Sequence, residues 1–104
     1  MPHITVEARI TGKVQGVAYR AWTQSRARRL ALNGYVQNEP FGSVRAVFAG
    51  ERNAVNQMLD ELWEGPGAAS VTDVQSAPVE ASKTTAEAAP SPAADGFSIR
   101  YGAD

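Results

Sequence analysis

The chain has 104 residues, 43% of them hydrophobic and 20% charged, and its 10 Lys+Arg against 11 Asp+Glu leave a formal net charge of −1. That length and apolar share predict one globular domain over 1–104 with a core of its own, and exclude a disordered chain. The chain has no cysteine, which excludes disulfides, thiolate metal sites and a cysteine nucleophile. A near-neutral balance argues against nucleic acid as the main partner. No apolar run approaches the ~18 residues that a membrane helix needs. The opening residues lack a basic stretch followed by an apolar run, so no signal peptide is expected, and the default location is cytoplasmic.

Ile4, Val6, Ala8 and Ile10 alternate with Thr5, Glu7, Arg9 and Thr11. This period of two predicts a strand with one face on a core, ending at Gly12. A short loop over 13–18 follows. Residues 19 to about 32 turn helical, with Tyr19, Trp22, Ala27, Leu30 and Ala31 on one broad stripe and Arg26, Arg28 and Arg29 on the wetter side. Asn33-Gly34 predicts the helix stop, because both residues tolerate the left-handed conformation. Residues 35–38 and 43–49 read as two strands joined by the tight connection Glu39-Pro40-Phe41-Gly42. In the second of them Val44, Ala46 and Phe48 are predicted to face the core.

Gly50 is predicted to break that strand and Glu51 to open a second helix. There Val55, Met58, Leu59 and Leu62 recur at i, i+3, i+4 and i+7. Gly65-Pro66-Gly67 ends it. A fourth strand over 70–79 is expected to carry a bulge, since Val71 and Val74 break strict alternation. Residues 81–96 are rich in alanine with Ser, Thr and two prolines, and predict a surface loop without a core-facing stripe. Phe97, Ile99 and Tyr101 then alternate as a short last strand. The order β-α-β-β-α-β-β, with right-handed crossovers through both helices, predicts an α+β, ferredoxin-like sandwich: an antiparallel five-stranded sheet with two helices on one face. The first and second strands would flank the third.

The loop between the first strand and the first helix is where chemistry is most readily built. Unpaired N–H groups and the helix dipole make such a junction attractive to anions. A glycine there, Gly16, lets successive amides converge into a nest. Arg20, in the first helical turn, can add a planar guanidinium fork. Its charge opposes the dipole, a local rule broken in the way functional sites break them. The same stretch also reads as an ordinary connection. It is not a nucleotide phosphate loop, because Gly12-Lys13 is followed by Val14 rather than Ser or Thr. Asn38 ends the strand before Glu39-Pro40 and reads either as turn chemistry or as a side chain carried to the nest by the parallel run of strands one and two.

The remaining polar residues offer less. His3 is the only histidine, no second His or Cys completes a metal set, and a Ser/His/Asp set would have to use it. Glu51, Asp60, Glu61 and Glu64 read as a solvated helix face. Trp22, Trp63, Phe48 and Phe97 read as core rather than as a ligand platform. Arg26, Arg28 and Arg29 read as wet helix surface.

Gly12-x-Val14-Gln15-Gly16-Val17-x-Tyr19-Arg20, followed by Gly34-Tyr35-Val36-x-Asn38, closely resembles the acylphosphatase family, and Phe97-Ser98-Ile99-Arg100-Tyr101 looks like that family's last strand. The likeness runs from Ile4 to Tyr101. It implies a small ferredoxin-like enzyme that hydrolyses the carboxyl–phosphate bond of acyl phosphates, releasing inorganic phosphate, with no cofactor, metal or covalent intermediate. By motif position, Arg20 and the backbone of Gln15, Gly16, Val17, Ala18 and Tyr19 would hold the phosphate. Asn38 would orient the attacking water. The chain departs from the family pattern in having Tyr35 where Trp is usual, Phe41 where a small or acidic residue precedes the hairpin glycine, and Arg45 where Glu is frequent.

The implied chemistry suits what the sequence lacks. A carboxylate leaving group, whose conjugate acid has a pKa of about 4, departs without a proton, so no general acid is needed. Phosphoryl transfer asks mostly for positioning and charge stabilisation. The expectation is thus a monomeric cytoplasmic acylphosphatase acting on a small-molecule substrate, without nucleic acid or membrane partners. One rival is a module that binds an anion in the same nest and turns nothing over; a hydrolysis assay with phosphate titration separates the two. The other is an RNA-binding domain, which would need aromatics on the open sheet face, where Thr5, Glu7 and Arg9 stand.

Overall fold

A computed structural model describes residues 3–79 and 96–100. The elements are β1 (His3–Lys13), α1 (Tyr19–Arg29), β2 (Asn33–Asn38), β3 (Val44–Glu51), α2 (Arg52–Leu62), β4 (Ser70–Pro78) and β5 (Phe97–Arg100). The strands form one sheet in the order β4-β1-β3-β2-β5. The first and second strands do flank the third. The sheet is not wholly antiparallel, however. β5 pairs with β2 in parallel, from Gly34↔Phe97 to Gln37↔Arg100. β4 occupies the edge beside β1, so the last strand enters at the free edge of β2, and there it runs in the direction of β2. In consequence β1, β2 and β5 all point the same way, and their C-terminal residues Lys13, Asn38 and Arg100 collect at one end of the sheet.

Both helices cover one face. α1 packs against β2 and β5, and α2 against β1, β3 and β4. The core between sheet and helices contains Val6, Ala8 and Ile10 from β1, Val44, Ala46 and Phe48 from β3, Ala27 from α1, and Val55, Met58 and Leu62 from α2. The alternation of β1 and β3 and the four-residue stripe of α2 were both legible. Each of Val55, Met58 and Leu62 stabilises the fold by about 1.5–3 kcal/mol through burial. The Phe48 and Phe97 rings stack with centroids 5.2 Å apart and fasten β5 under the helices.

Two boundaries differ from the sequence expectation, and one irregularity agrees with it. α1 ends at Arg29 rather than near residue 32, because Ala31 takes the left-handed conformation at φ 59. Leu32 N–H then donates to Ala27 O at 2.9 Å and Ala31 N–H to Arg28 O at 3.1 Å, a Schellman closure that leaves Ala31 exposed and buries Leu32. The stop therefore lies two residues before Asn33-Gly34. Gly50 does not break β3, because it pairs with Ile4; its missing side chain makes room for Leu32, whose Cδ2 would lie 2.7 Å from a Cβ there. β4 carries the anticipated bulge: its register against β1 passes from Thr11↔Asp73 to Gly12↔Val71, skipping Thr72. One extra residue puts Val71 and Val74 on the same face, and both pack against the core. The predicted loop over 81–96, apart from Gly96, and Tyr101 lie outside the described residues.

Alanine in the left-handed region costs about 1 kcal/mol that glycine does not incur. Ala31→Gly is therefore expected to stabilise the protein by about 1 kcal/mol, raising the midpoint of thermal unfolding by roughly 4–8 °C. Calorimetry checks this; a lowered midpoint would show that the helix terminus is not closed in this way.

Candidate active site

The loop between β1 and α1 is fixed at both ends and open in the middle. Val14 and Tyr19 are buried, whereas Gly16 and Ala18 are exposed. Gly16 has φ 75 and Ala18, the residue before α1, has φ 63. A left-handed residue followed by helical ones turns consecutive N–H groups to one side, the geometry of an anion nest. No side chain caps the helix. The first backbone bond into α1 is Trp22 N–H to Ala18 O at 3.0 Å. Among the described residues the N–H groups of Gln15, Gly16, Val17, Ala18 and Tyr19 donate to no backbone carbonyl. These are the orphan donors of a helix start.

Tyr19 anchors the far end of the loop. Its hydroxyl donates to Leu62 O at 2.6 Å, joining the start of α1 to the end of α2. Burial raises its pKa well above that of a free phenol, so it stays neutral. Gln15 anchors the near end: its Nε2 donates to Glu39 O at 2.9 Å and to Ser43 O at 2.8 Å. The loop is thereby clamped to the turn between β2 and β3.

Two adjoining cavities open at this end of the sheet. The smaller, about 180 Å³, is lined by Gly16, Ala18, Arg20 and Asn38 among others. The larger, about 380 Å³, shares Arg20 and Asn38 and extends to Phe41 and Arg100. Of the residues singled out in the sequence, Gln15, Gly16, Ala18, Tyr19, Arg20 and Asn38 line one or both cavities. Val17 lines neither; it is half-buried and packs against the core. Arg20 Nη1 donates to Arg100 O at 3.5 Å, which steadies the guanidinium at the junction. Asn38 closes β2, and its Oδ1 is buried with no hydrogen-bond partner among the described residues. A buried acceptor left unsatisfied costs about 1–3 kcal/mol. Asn38 itself lines both cavities beside Arg20.

The sequence reading missed the side chains that shape this corner. Glu39 receives Arg9 Nε at 2.9 Å and Nη2 at 3.1 Å, and Ser43 Oγ at 2.9 Å. Arg45 pairs with Glu7, so the two arginines that face each other across β1 and β3 are each neutralised. Arg100 reaches the cavity only because β5 is parallel to β2, and its guanidinium lies 3.8 Å from the centre of the Tyr35 ring. The alternation of β1 does place Arg9 on the open face, and that was the available signal. Its partner 30 residues away was not visible. His3 lies at the opposite end of β1, and among the described residues no three His, Cys, Asp or Glu side chains gather as a metal set.

The Acylphosphatase family profile matches residues 6–99. The chain belongs to the acylphosphatase family. The acylphosphatase of Rhizobium meliloti is 57% identical over 68 residues, which cover 65% of this chain and 72% of that one. The solved acylphosphatase of Coxiella burnetii superposes with a TM-score of 0.80 at 30% identity, covering 94% of this chain and 93% of its own. That of Bacillus subtilis does so with a TM-score of 0.80 at 26% identity, covering 94% and 99%. The ferredoxin-like α+β sandwich is thus the acylphosphatase fold, with its sheet mixed rather than antiparallel.

Glu39 gives this corner a pH dependence. Burial pushes its pKa up, but the hydrogen bonds from Arg9 and Ser43 and the charges of Arg9 and Arg45 outweigh burial and hold it below the ordinary carboxylate value. A carboxyl with a lowered folded pKa binds its proton more readily when unfolded. Its stabilisation is complete above the unfolded value of about 4.3 and is lost as pH falls through the folded value. Glu39→Gln is expected to lower stability near neutrality and to flatten the acid limb below about pH 4. Urea unfolding as a function of pH checks this; parallel curves for variant and wild type would refute the linkage.

Proposed function

We propose that this chain carries out acylphosphatase chemistry through the loop amides, Arg20 and Asn38. Family membership makes it a hydrolase of acyl phosphates. The nest of N–H groups over residues 15–19, with the Arg20 guanidinium, takes the phosphoryl oxygens and stabilises the charge they carry in the transition state. The Asn38 carboxamide orients the attacking water. The observation that carries this reading is that Arg20 and Asn38 line the same two cavities, the smaller of them together with the loop residues Gly16 and Ala18.

In the reaction the water oxygen forms a new bond to phosphorus. The bond from phosphorus to the bridging oxygen breaks, and its electron pair leaves on the carboxylate. With a conjugate-acid pKa of about 4, the carboxylate needs no proton to depart. One water proton ends on the phosphate, and no side chain has to be regenerated. The rate comes from placing water and phosphoryl group together and from fixed dipoles aimed at the phosphoryl oxygens. We infer further that the protein works as a cytoplasmic monomer on a free small-molecule substrate, without nucleic acid or membrane partners. In support, the net charge is −1 and no described helix is long and apolar enough to cross a membrane.

The purified protein is expected to hydrolyse an acyl phosphate in the presence of EDTA, with inorganic phosphate as a competitive inhibitor. Arg20→Gln should lower turnover by about 10³-fold or more and abolish phosphate inhibition. Asn38→Ala should lower kcat by roughly 10²-fold and leave the inhibition constant for phosphate nearly intact. Equal loss of phosphate binding in both variants would contradict the division of roles. Phosphate binding without any hydrolysis would favour the anion-binding module instead.

A further inference from the structure

Phe41 is a side chain at this site that the mechanism leaves unused. Its relative exposure is 107%, and its backbone sits at φ 68, a conformation that bulky residues seldom adopt. Nothing in the packing of the fold calls for an aromatic ring at this position. The ring nevertheless stands at the mouth of the larger cavity, between Pro40 and Gly42.

The two cavities differ in a way that suits a two-part substrate. The smaller, about 180 Å³, is bounded by the nest residues Gly16 and Ala18 together with Arg20 and Asn38. The larger, about 380 Å³, shares Arg20 and Asn38, exceeds what a phosphoryl group occupies, and runs outward to Pro40 and Phe41. A polar floor thus continues into an apolar rim. The turn bearing that rim is held firmly: Gln15 donates to both Glu39 O and Ser43 O, Arg9 and Ser43 hold the Glu39 carboxylate, and Glu39 N–H donates to Ser43 O at 2.8 Å. The backbone that carries the ring is therefore in place before a ligand arrives.

We propose that Phe41, with Pro40, forms the subsite for the acyl group, so that this chain favours acyl phosphates with a flat apolar acyl part over small ones such as acetyl phosphate. The inference rests on the acylphosphatase reading above and adds the substrate class. An offset ring–ring contact corresponds to roughly a 3- to 10-fold preference.

The test compares kcat/KM for benzoyl phosphate and acetyl phosphate in wild type, Phe41→Asn and Phe41→Tyr. Asparagine tolerates the left-handed conformation and keeps the turn while removing the ring. Phe41→Asn is expected to lower the benzoyl-to-acetyl ratio by about 3- to 10-fold, mainly through KM for benzoyl phosphate. Phe41→Tyr should retain the wild-type ratio. An unchanged ratio in Phe41→Asn, whether both substrates fall together or neither does, overturns the subsite and leaves the activity standing. A wild-type protein that hydrolyses neither substrate overturns the activity and the subsite with it.

Discussion

One carboxamide couples the two halves of the site. Gln15 leaves β1 with its side chain turned across the sheet end, where Nε2 donates to Glu39 O and Ser43 O. The amides that can hold an anion lie on the loop after β1, and Asn38 lies at the end of β2. Without that bridge their separation would depend on two loops moving independently. Errors of about 1 Å in such placement cost orders of magnitude in rate when catalysis is mostly positioning. Arg9, Glu39 and Ser43 brace the same turn from the open face of the sheet. The helix side is braced by Tyr19, whose hydroxyl reaches Leu62 O.

The topology explains why these residues meet at all. Because β1, β2 and β5 run the same way, their last residues gather at one edge, next to the N-terminus of α1. An antiparallel β5 would have carried Arg100 to the other end of the sheet. The helix start brings N–H groups that donate to no backbone carbonyl among the described residues, and the left-handed conformations of Gly16 and Ala18 curl the loop that carries them. A carboxylate leaving group lowers the demand further. In the proposed mechanism a site made of main-chain amides, one guanidinium and one carboxamide suffices, with no call on cysteine or on the single histidine.

Much of this was legible in the residues. The alternation of Val6, Ala8 and Ile10 and the stripe of Val55, Met58 and Leu62 fixed which faces are buried, because burial of an amphipathic face dominates local preference. The broken alternation of Val71 and Val74 announced the bulge skipped at Thr72. The loop carrying Gly16 and Arg20 read equally as an ordinary connection from its residues alone, and the resemblance of 12–20 and 34–38 to the acylphosphatase motifs singled it out. What failed was one local helix closure and several features set by distant contacts. The end of α1 fell at Ala31 rather than at Asn33-Gly34, since closure of the helix by Leu32 could proceed through an alanine. Gly50 stayed in β3 because it makes room for Leu32, which no local pattern reveals. The direction of β5 depends on which sheet edge is free. The clasp by Gln15 and the Arg9–Glu39 pair join residues 24 to 30 positions apart.

The most direct measurement is an amide-resolved NMR titration of the protein with inorganic phosphate. The account predicts saturable shifts concentrated in the backbone N–H signals of residues 15–20, with a dissociation constant equal to the inhibition constant of phosphate in hydrolysis. Shifts centred elsewhere on the molecule, or none at phosphate concentrations that inhibit turnover, would contradict it.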